Sequence, residues 1–403
     1  MLKPLRLAAV VLLMVWGCAS AATRPGRVVE VNDPPSLRQA LADARPGDVI
    51  RLASGRYGAF SFAGPHGTKE APIVIESSNV ADPAIFGGRS GIHLSGPRHV
   101  ILRHVVVRGS QTNGVNIDDA GRRDGLSQGI VIENVRVEDV GPVGNLDGIK
   151  LSGLDEFRVS GCTVVGWGGS AVDMVGCHDG LIERCVFRGK DGFSQHSGAQ
   201  IKGGCRGVTV RDCLFVNPGG RGVNLGGSTG RDFFRPPLEK FGPEAYEASG
   251  CVVEGSTFIG GESAVAFVSQ TDCVARFNTI YRPGRFAFRI LQESMGAPFV
   301  PCRRGTIEAN LIVWRSDQMR TAVNVGPNTQ AESFVFKSNA WFCEDRPGQS
   351  RLPLPAKEEG GVYGVDPKFT NAADEDLKVS ETKLAGRAGA GALPKTPGDG
   401  QGR

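Results

Sequence analysis

A short pattern recurs down the chain: a Gly or Ala, then two apolar residues flanking one that is usually polar. It reads Gly114-Val115-Asn116-Ile117, Gly148-Ile149-Lys150-Leu151, Ala171-Val172-Asp173-Met174, Gly198-Ala199-Gln200-Ile201 and Gly222-Val223-Asn224-Leu225. It continues as Ala264-Val265-Ala266-Phe267, Ala287-Phe288-Arg289-Ile290 and Ala322-Val323-Asn324-Val325. Most copies lie 23 to 27 residues apart, and intervals of 34, 42 and 35 mark insertions. A second apolar pair keeps phase with the first, at Ile130–Ile132, Arg158-Val159, Leu181-Ile182, Thr209-Val210, Val252-Val253, Thr306-Ile307 and Val335-Phe336. Period-2 alternation over three or four residues marks short strands, and a fixed repeat of this length marks a solenoid. The pattern therefore predicts an all-β fold, a right-handed parallel β-helix of about ten coils. Each coil buries its inward side chains on its neighbours at ~4.8 Å spacing.

The repeat also places a column of small and amide side chains at a bend: Asn134, Cys162, Cys185, Cys213, Ser256, Asn278, Asn310 and Asn339. It reads as an amide ladder continued by a buried thiol stack. Cys177 with Cys205, and Cys251 with Cys273, fall in register as either disulfides or stacked free thiols. A solenoid needs covered ends. Ser36-Leu37-Arg38-Gln39 reads as a capping box opening an amphipathic segment, Leu37–Ala44, that plugs the N-terminal end. Gly364–Phe369 reads as a last coil, residues 23–390 as one β-helix domain, and 391–403 as a loose tail.

Composition narrows the function. The 57 glycines in 403 residues are about twice the usual ~7% and suit many turns. Lys+Arg 46 against Asp+Glu 42 gives +4. Removing Lys3 and Arg6 with a leader leaves 44 against 42, or +2, too balanced for a nucleic-acid binder. Residues 1–22 read as that leader: a basic start, the apolar run Leu7–Trp16, then small residues. The run is too short to span a bilayer, so export is expected. Ala19-Ser20-Ala21 suits a signal peptidase, while Val15–Cys18 suits lipidation at Cys18, which would be the only membrane link. A secreted or periplasmic monomer follows as the expectation.

The segments Ser36–Leu41, Pro46–Ile50 and Gly55-Arg56-Tyr57, followed by Ala71–Ile75, resemble the opening of secreted pectate-lyase-like β-helix proteins. The likeness extends to the polysaccharide lyase family that holds chondroitinase B and alginate lyases. There a Lys and an Arg on neighbouring coils act as base and acid, and calcium often neutralises the substrate carboxylate. Ile201-Lys202-Gly203 followed by Phe215-Val216-Asn217 is similar to the segment carrying the catalytic lysine, which implies that role for Lys202. In place of Asn–apolar–Arg this chain has Asn224-Leu225-Gly226, and Arg221 is the nearest arginine. The resemblance implies an acidic polysaccharide as partner and Ca2+ as the cofactor to test; the residues themselves specify no metal.

Read from alternation alone, the residue between the apolar positions points outward, and so does the one after them. Lys150, Asp173, Gln200, Lys202 and Asn224 then share one face on consecutive rungs, with His196 and Arg221 entering it. Any one of these would pass for a solvated sheet face; the concentration marks a groove. The longest interval releases a loop, 228–249, carrying Phe233, Phe234, Arg235, Phe241 and Tyr246. Its aromatics suit either sugar stacking or a flap packed on the helix. Arg289 is positioned to bind a carboxylate or to pair with Glu293. Clustered carboxylates for glycoside hydrolysis are missing. β-Elimination from a uronic acid fits better, because it needs a cation for the carboxylate and a base for the adjacent carbon. The expected roles are Lys202 as base with His196 as its alternative, and Arg221 as clamp or acid. Lys150, Asp173, Gln200, Asn224, Arg235 and Arg289 are expected to position substrate. An epimerase, a hydrolase and a non-catalytic carbohydrate-binding solenoid are the competing readings.

Overall fold

The computed structural model describes residues 26–123 and 127–384. The leader with Cys18, and the tail 391–403, lie outside the described residues. The chain winds through three parallel sheets of thirteen, twelve and ten strands, taken in turn on every coil. Every anticipated rung lies in the ten-stranded sheet in the anticipated register, for example Ile149 beside Val172 and Lys150 beside Asp173. Val172, Met174, Ala199, Ile201, Val223 and Leu225 are fully buried. Two earlier rungs, Phe60–Ala63 and Ile92–Ser95, extend the sheet toward the N-terminus.

Local departures have simple causes. The helix spans Pro34–Ala42, and its N-cap is Asp33, which accepts from Ser36 N at 2.7 Å. Ser36 is thus the third helical residue of the box rather than its opening, because Pro34 and Pro35 fit the first turn where no N–H is needed. Leu37, Ala40 and Leu41 face the core. In the amide ladder Asn278 Nδ2 donates to Asn310 Oδ1, and Asn310 Nδ2 to Asn339 Oδ1, both at 2.9 Å. Asn134 is exposed at φ +51° and stands one residue short of the column, where Val135 is buried instead. All nine described cysteines are buried free thiols, so Cys177 and Cys205, and Cys251 and Cys273, stack without bonding. Past the last coil, Phe369–Asn371 pairs antiparallel with Asp376–Val379. This hairpin is not a coil: Leu377 joins Tyr281, Leu311 and Val313 in an apolar cluster.

Parallel stacking in register also sets a charge rule. Along one outward row of the thirteen-stranded sheet the neighbours run Glu30, Arg51, Glu76, Arg103 and Glu133. After Ser160 they run Glu183, Arg211, Glu254, Arg276, Glu308, Lys337 and Glu359. Signs alternate because like charges about one strand spacing apart would repel. Glu183, beside the Ser160 break, takes Arg158 and Arg184 as well as Arg211. Its burial alone would raise the carboxyl pKa, but hydrogen bonds from Arg211 and Arg158 hold it down from 4.5 to about 2. A depressed folded-state value stabilises above pH 4.5, and the contribution disappears as pH falls from there toward about 2. Thermal melts of Glu183→Gln against wild type should therefore differ most near neutrality and converge toward pH ~2. A gap unchanged by acid would show that the carboxylate charge contributes nothing.

Candidate active site

The ten-stranded sheet presents two outward columns. The first runs Ser61, His93, Asn116, Lys150, Asp173, Gln200, Asn224, Ala266, Arg289 and Asn324. Lys202 stands in the second, beside Val175. At its centre is a chain of alternating charge. Lys150 Nζ lies 2.9 Å from Asp147 Oδ2 and 2.5 Å from Asp173 Oδ2, while Lys202 Nζ lies 3.2 Å from Asp173 Oδ1. Both carboxylates are fully buried. Burial opposes the charge on Lys150, but Asp173 and Asp147 outweigh it and push the ammonium pKa well above its ordinary value. Burial and the neighbouring Asp173 charge push Asp147 the other way, above the usual carboxylate range.

Beside this chain two buried polar atoms lack hydrogen-bond partners. Asn224 Nδ2 has none, and Asp173 Oδ1 has only the Lys202 ammonium as a charge partner, without hydrogen-bond geometry. Gly227 lies over them: a Cβ there would meet Gln200 Nε2 at 2.8 Å. Only glycine lets the chain pass so near the amides, and it leaves the Gln200–Asn224 slot open. Asn224 Oδ1 accepts from Arg221 Nη1 at 3.2 Å, so Arg221 and Lys202 share one face.

Not every expected residue joins them. His196 is exposed and precedes the strand that ends at Lys202, six residues away, or about 20 Å of extended chain. That distance separates it from the Lys202–Asp173 centre. Arg235 is removed from substrate contact, because it is buried in a two-pronged ion pair with Asp119. The loop closes as a flap: Phe234, Leu238 and Ala245 form an apolar cluster with Phe241 and Phe299, and Phe233 is exposed. Glu293 pairs with Arg221 at 2.6 Å and not with Arg289. Arg289 reaches Asn324 Oδ1 at 3.2 Å and Glu262 at 3.7 Å, and its burial and the nearby Arg221 charge lower its pKa.

The alternation scan missed Ser61 and His93, although Phe60-Ser61-Phe62 and Gly91-Ile92-His93-Leu94 carry the pattern. It offered no signal for Glu262 or Glu293, which stand outside the repeat. A calcium ion takes six to eight oxygens. Among the described residues no three His, Cys, Asp or Glu gather, and Lys150 already occupies the space between Asp147 and Asp173. These residues do not fit calcium.

Similar folds occur in enzymes that act on polysaccharides. The A-module of the Azotobacter vinelandii mannuronan C-5 epimerase AlgE6 is 12% identical with a TM-score of 0.55, covering 85% of this chain and 97% of its own. The pectate lyase Pel9A is 14% identical at 0.53, with 94% and 89% covered. An alginate lyase from Paenibacillus sp. is 17% identical at 0.50, with 83% and 95% covered. Likeness at this level concerns the fold. No curated protein matches the sequence. The profile of the right handed beta helix region matches residues 67–235 and 147–312, more than half of the chain. Coil order, inward pattern and profile agree, and the chain belongs to the right-handed β-helix family.

Proposed function

We propose that the protein is an exported enzyme that cleaves a uronic-acid-containing polysaccharide by β-elimination on the ten-stranded face. The observation that carries this reading is the open slot in which Lys202, Arg221 and the unpartnered Asn224 amide converge. Arg221 and Arg289, two guanidiniums on neighbouring parts of one face, favour a carboxylate there. Asn224 Nδ2 supplies a further donor. As a neutral amine, Lys202 takes the proton from the carbon next to the carboxylate. The electron pair forms the double bond, the glycosidic C–O bond breaks, and the leaving oxygen takes a proton from a donor on the Arg221 side. Lys150 is committed to two carboxylates, whereas Lys202 contacts one, so Lys202 is the lysine available as base. Export through the 1–22 leader, with or without a lipid at Cys18, would bring the enzyme to such polymers.

The test is a panel of uronate polymers read by ultraviolet absorbance of unsaturated ends. Their appearance supports the proposal, and their absence across the panel overturns it. Altered uronate composition without cleavage would mean epimerisation, and retention without change would mean a binder. Arg221→Ala should raise KM by about 10- to 100-fold, the equivalent of one lost charge-assisted contact. An unchanged KM in steady-state kinetics would remove Arg221 from the carboxylate subsite.

A further inference from the structure

Three rungs before Lys150 the same face carries a serine, a histidine and a carboxylate joined by hydrogen bonds. Ser61 Oγ lies 3.3 Å from His93 Nδ1, and His93 Nε2 lies 2.7 Å from Asp118 Oδ2. In-register stacking creates the row: Ser61 neighbours His93, and Ser95 neighbours Asp118 on the next rung. We propose that Ser61, His93 and Asp118 form a second catalytic site that hydrolyses O-acyl esters on an acidic polysaccharide.

The proton inventory supports the roles. An ionised carboxylate only accepts, so neutral His93 carries its proton on Nε2 and turns the Nδ1 lone pair toward the Ser61 hydroxyl. Asp118 is itself held by Ser95 Oγ at 2.6 Å and Ala120 N at 2.9 Å, so it fixes the ring. The ring nitrogens are exchanged relative to the usual serine triad, but the acid–base–nucleophile order is the same. A separation of 3.3 Å is within the looser range of unliganded sites. Ser61 is exposed and His93 half-buried, so an acyl group on a polymer reaches the hydroxyl. Arg38, exposed on the N-terminal helix, lies over the Phe60 ring and donates to the Ser61 carbonyl at 3.0 Å, a cation beside the developing oxyanion. A cleft lined by Phe62, Ala63, Ser95 and Gly96 adjoins the row.

The chemistry closes without a co-reactant other than water. Ser61 Oγ attacks the ester carbonyl and its proton passes to His93 Nδ1. Collapse expels the sugar alkoxide, which takes that proton and leaves an acyl-Ser61. Water, deprotonated by His93, then releases the carboxylic acid and restores the hydroxyl. The acyl-transfer chemistry stands on the three residues; the acidic polysaccharide as acyl carrier rests on the function proposed above.

The full chain is treated with an alkyl fluorophosphonate and the adduct mapped by mass spectrometry. p-Nitrophenyl acetate hydrolysis and acetate release from an O-acetylated uronate polymer are assayed in parallel. An adduct on Ser61 is expected, with hydrolysis abolished in Ser61→Ala and reduced about 10²–10⁴-fold in His93→Ala. Ser61 is exposed, so its variant should fold, and the wild-type adduct needs no variant. No adduct on Ser61, or a wild-type rate in Ser61→Ala, overturns the site. Hydrolysis of the small ester with no acetate from the polymer overturns the substrate class. Neither arm measures elimination, so a failed lyase assay is a separate result.

Discussion

Lys202→Ala should fold normally and lose about 10²–10⁴ in turnover on any uronate polymer that the wild type cleaves. Its neighbour Ile201 is fully buried and holds the coil, while the Lys202 side chain projects onto the outer face. Truncation therefore opens no core cavity. Asp173 keeps the Lys150 ammonium at 2.5 Å, so its buried charge stays compensated. Lys202→Arg separates base from charge: a guanidinium preserves the ion pair to Asp173 but does not deprotonate near neutral pH. KM should then stay near the wild-type value while kcat remains low. Full activity in Lys202→Ala would remove this lysine from the chemistry, and recovery of kcat in Lys202→Arg would show that only its charge matters.

Arg235→Met should cost about 3–5 kcal/mol, the range for breaking one half of a buried ion pair. Arg235 Nε lies 2.5 Å and Nη2 2.9 Å from the two Asp119 oxygens. Asp119 is fully buried, so the variant strands a carboxylate that otherwise keeps only the backbone donors of Gly121 and Arg123. The Arg235 side chain also lies across Gly176, where a Cβ would meet Arg235 Cβ at 2.5 Å. Flap attachment and coil stability should fall together, as a lower urea midpoint and faster proteolysis within residues 228–249. Asp119→Asn combined with Arg235→Met should recover part of the loss, because the stranded charge is gone. A single-variant loss below ~1 kcal/mol would show that the pair does not anchor the flap.

Much of this architecture was legible because a parallel β-helix is built from local, repeated decisions. Ala199 and Ile201 must face inward for their rung to stack, which turns Gln200 and Lys202 outward whatever the rest of the chain does. The same logic failed where the repeat is interrupted or begins. Asn134 was displaced by one residue because its coil has Val135 at the ladder position, so amide identity misled where apolar spacing would not have. Ser61 and His93 were missed because Phe60–Ala63 lies beside the capping helix, far from the run of copies that set the period.

The one-dimensional pattern by itself determined the fold, the direction of each strand side chain and the face on which Lys150, Asp173, Gln200, Lys202 and Asn224 gather. Tertiary structure alone decided which of those charges meet. The Lys150–Asp173–Lys202 chain depends on side-chain reach across rungs 23 to 29 residues apart. Arg221 is claimed by Glu293 and Arg235 by Asp119, 72 and 116 residues away. Alternation follows from backbone geometry within a few residues and is written into every rung. Ion pairing depends on which loops fold back and at what height. That choice is made by packing of the whole flap, and no local sequence period encodes it.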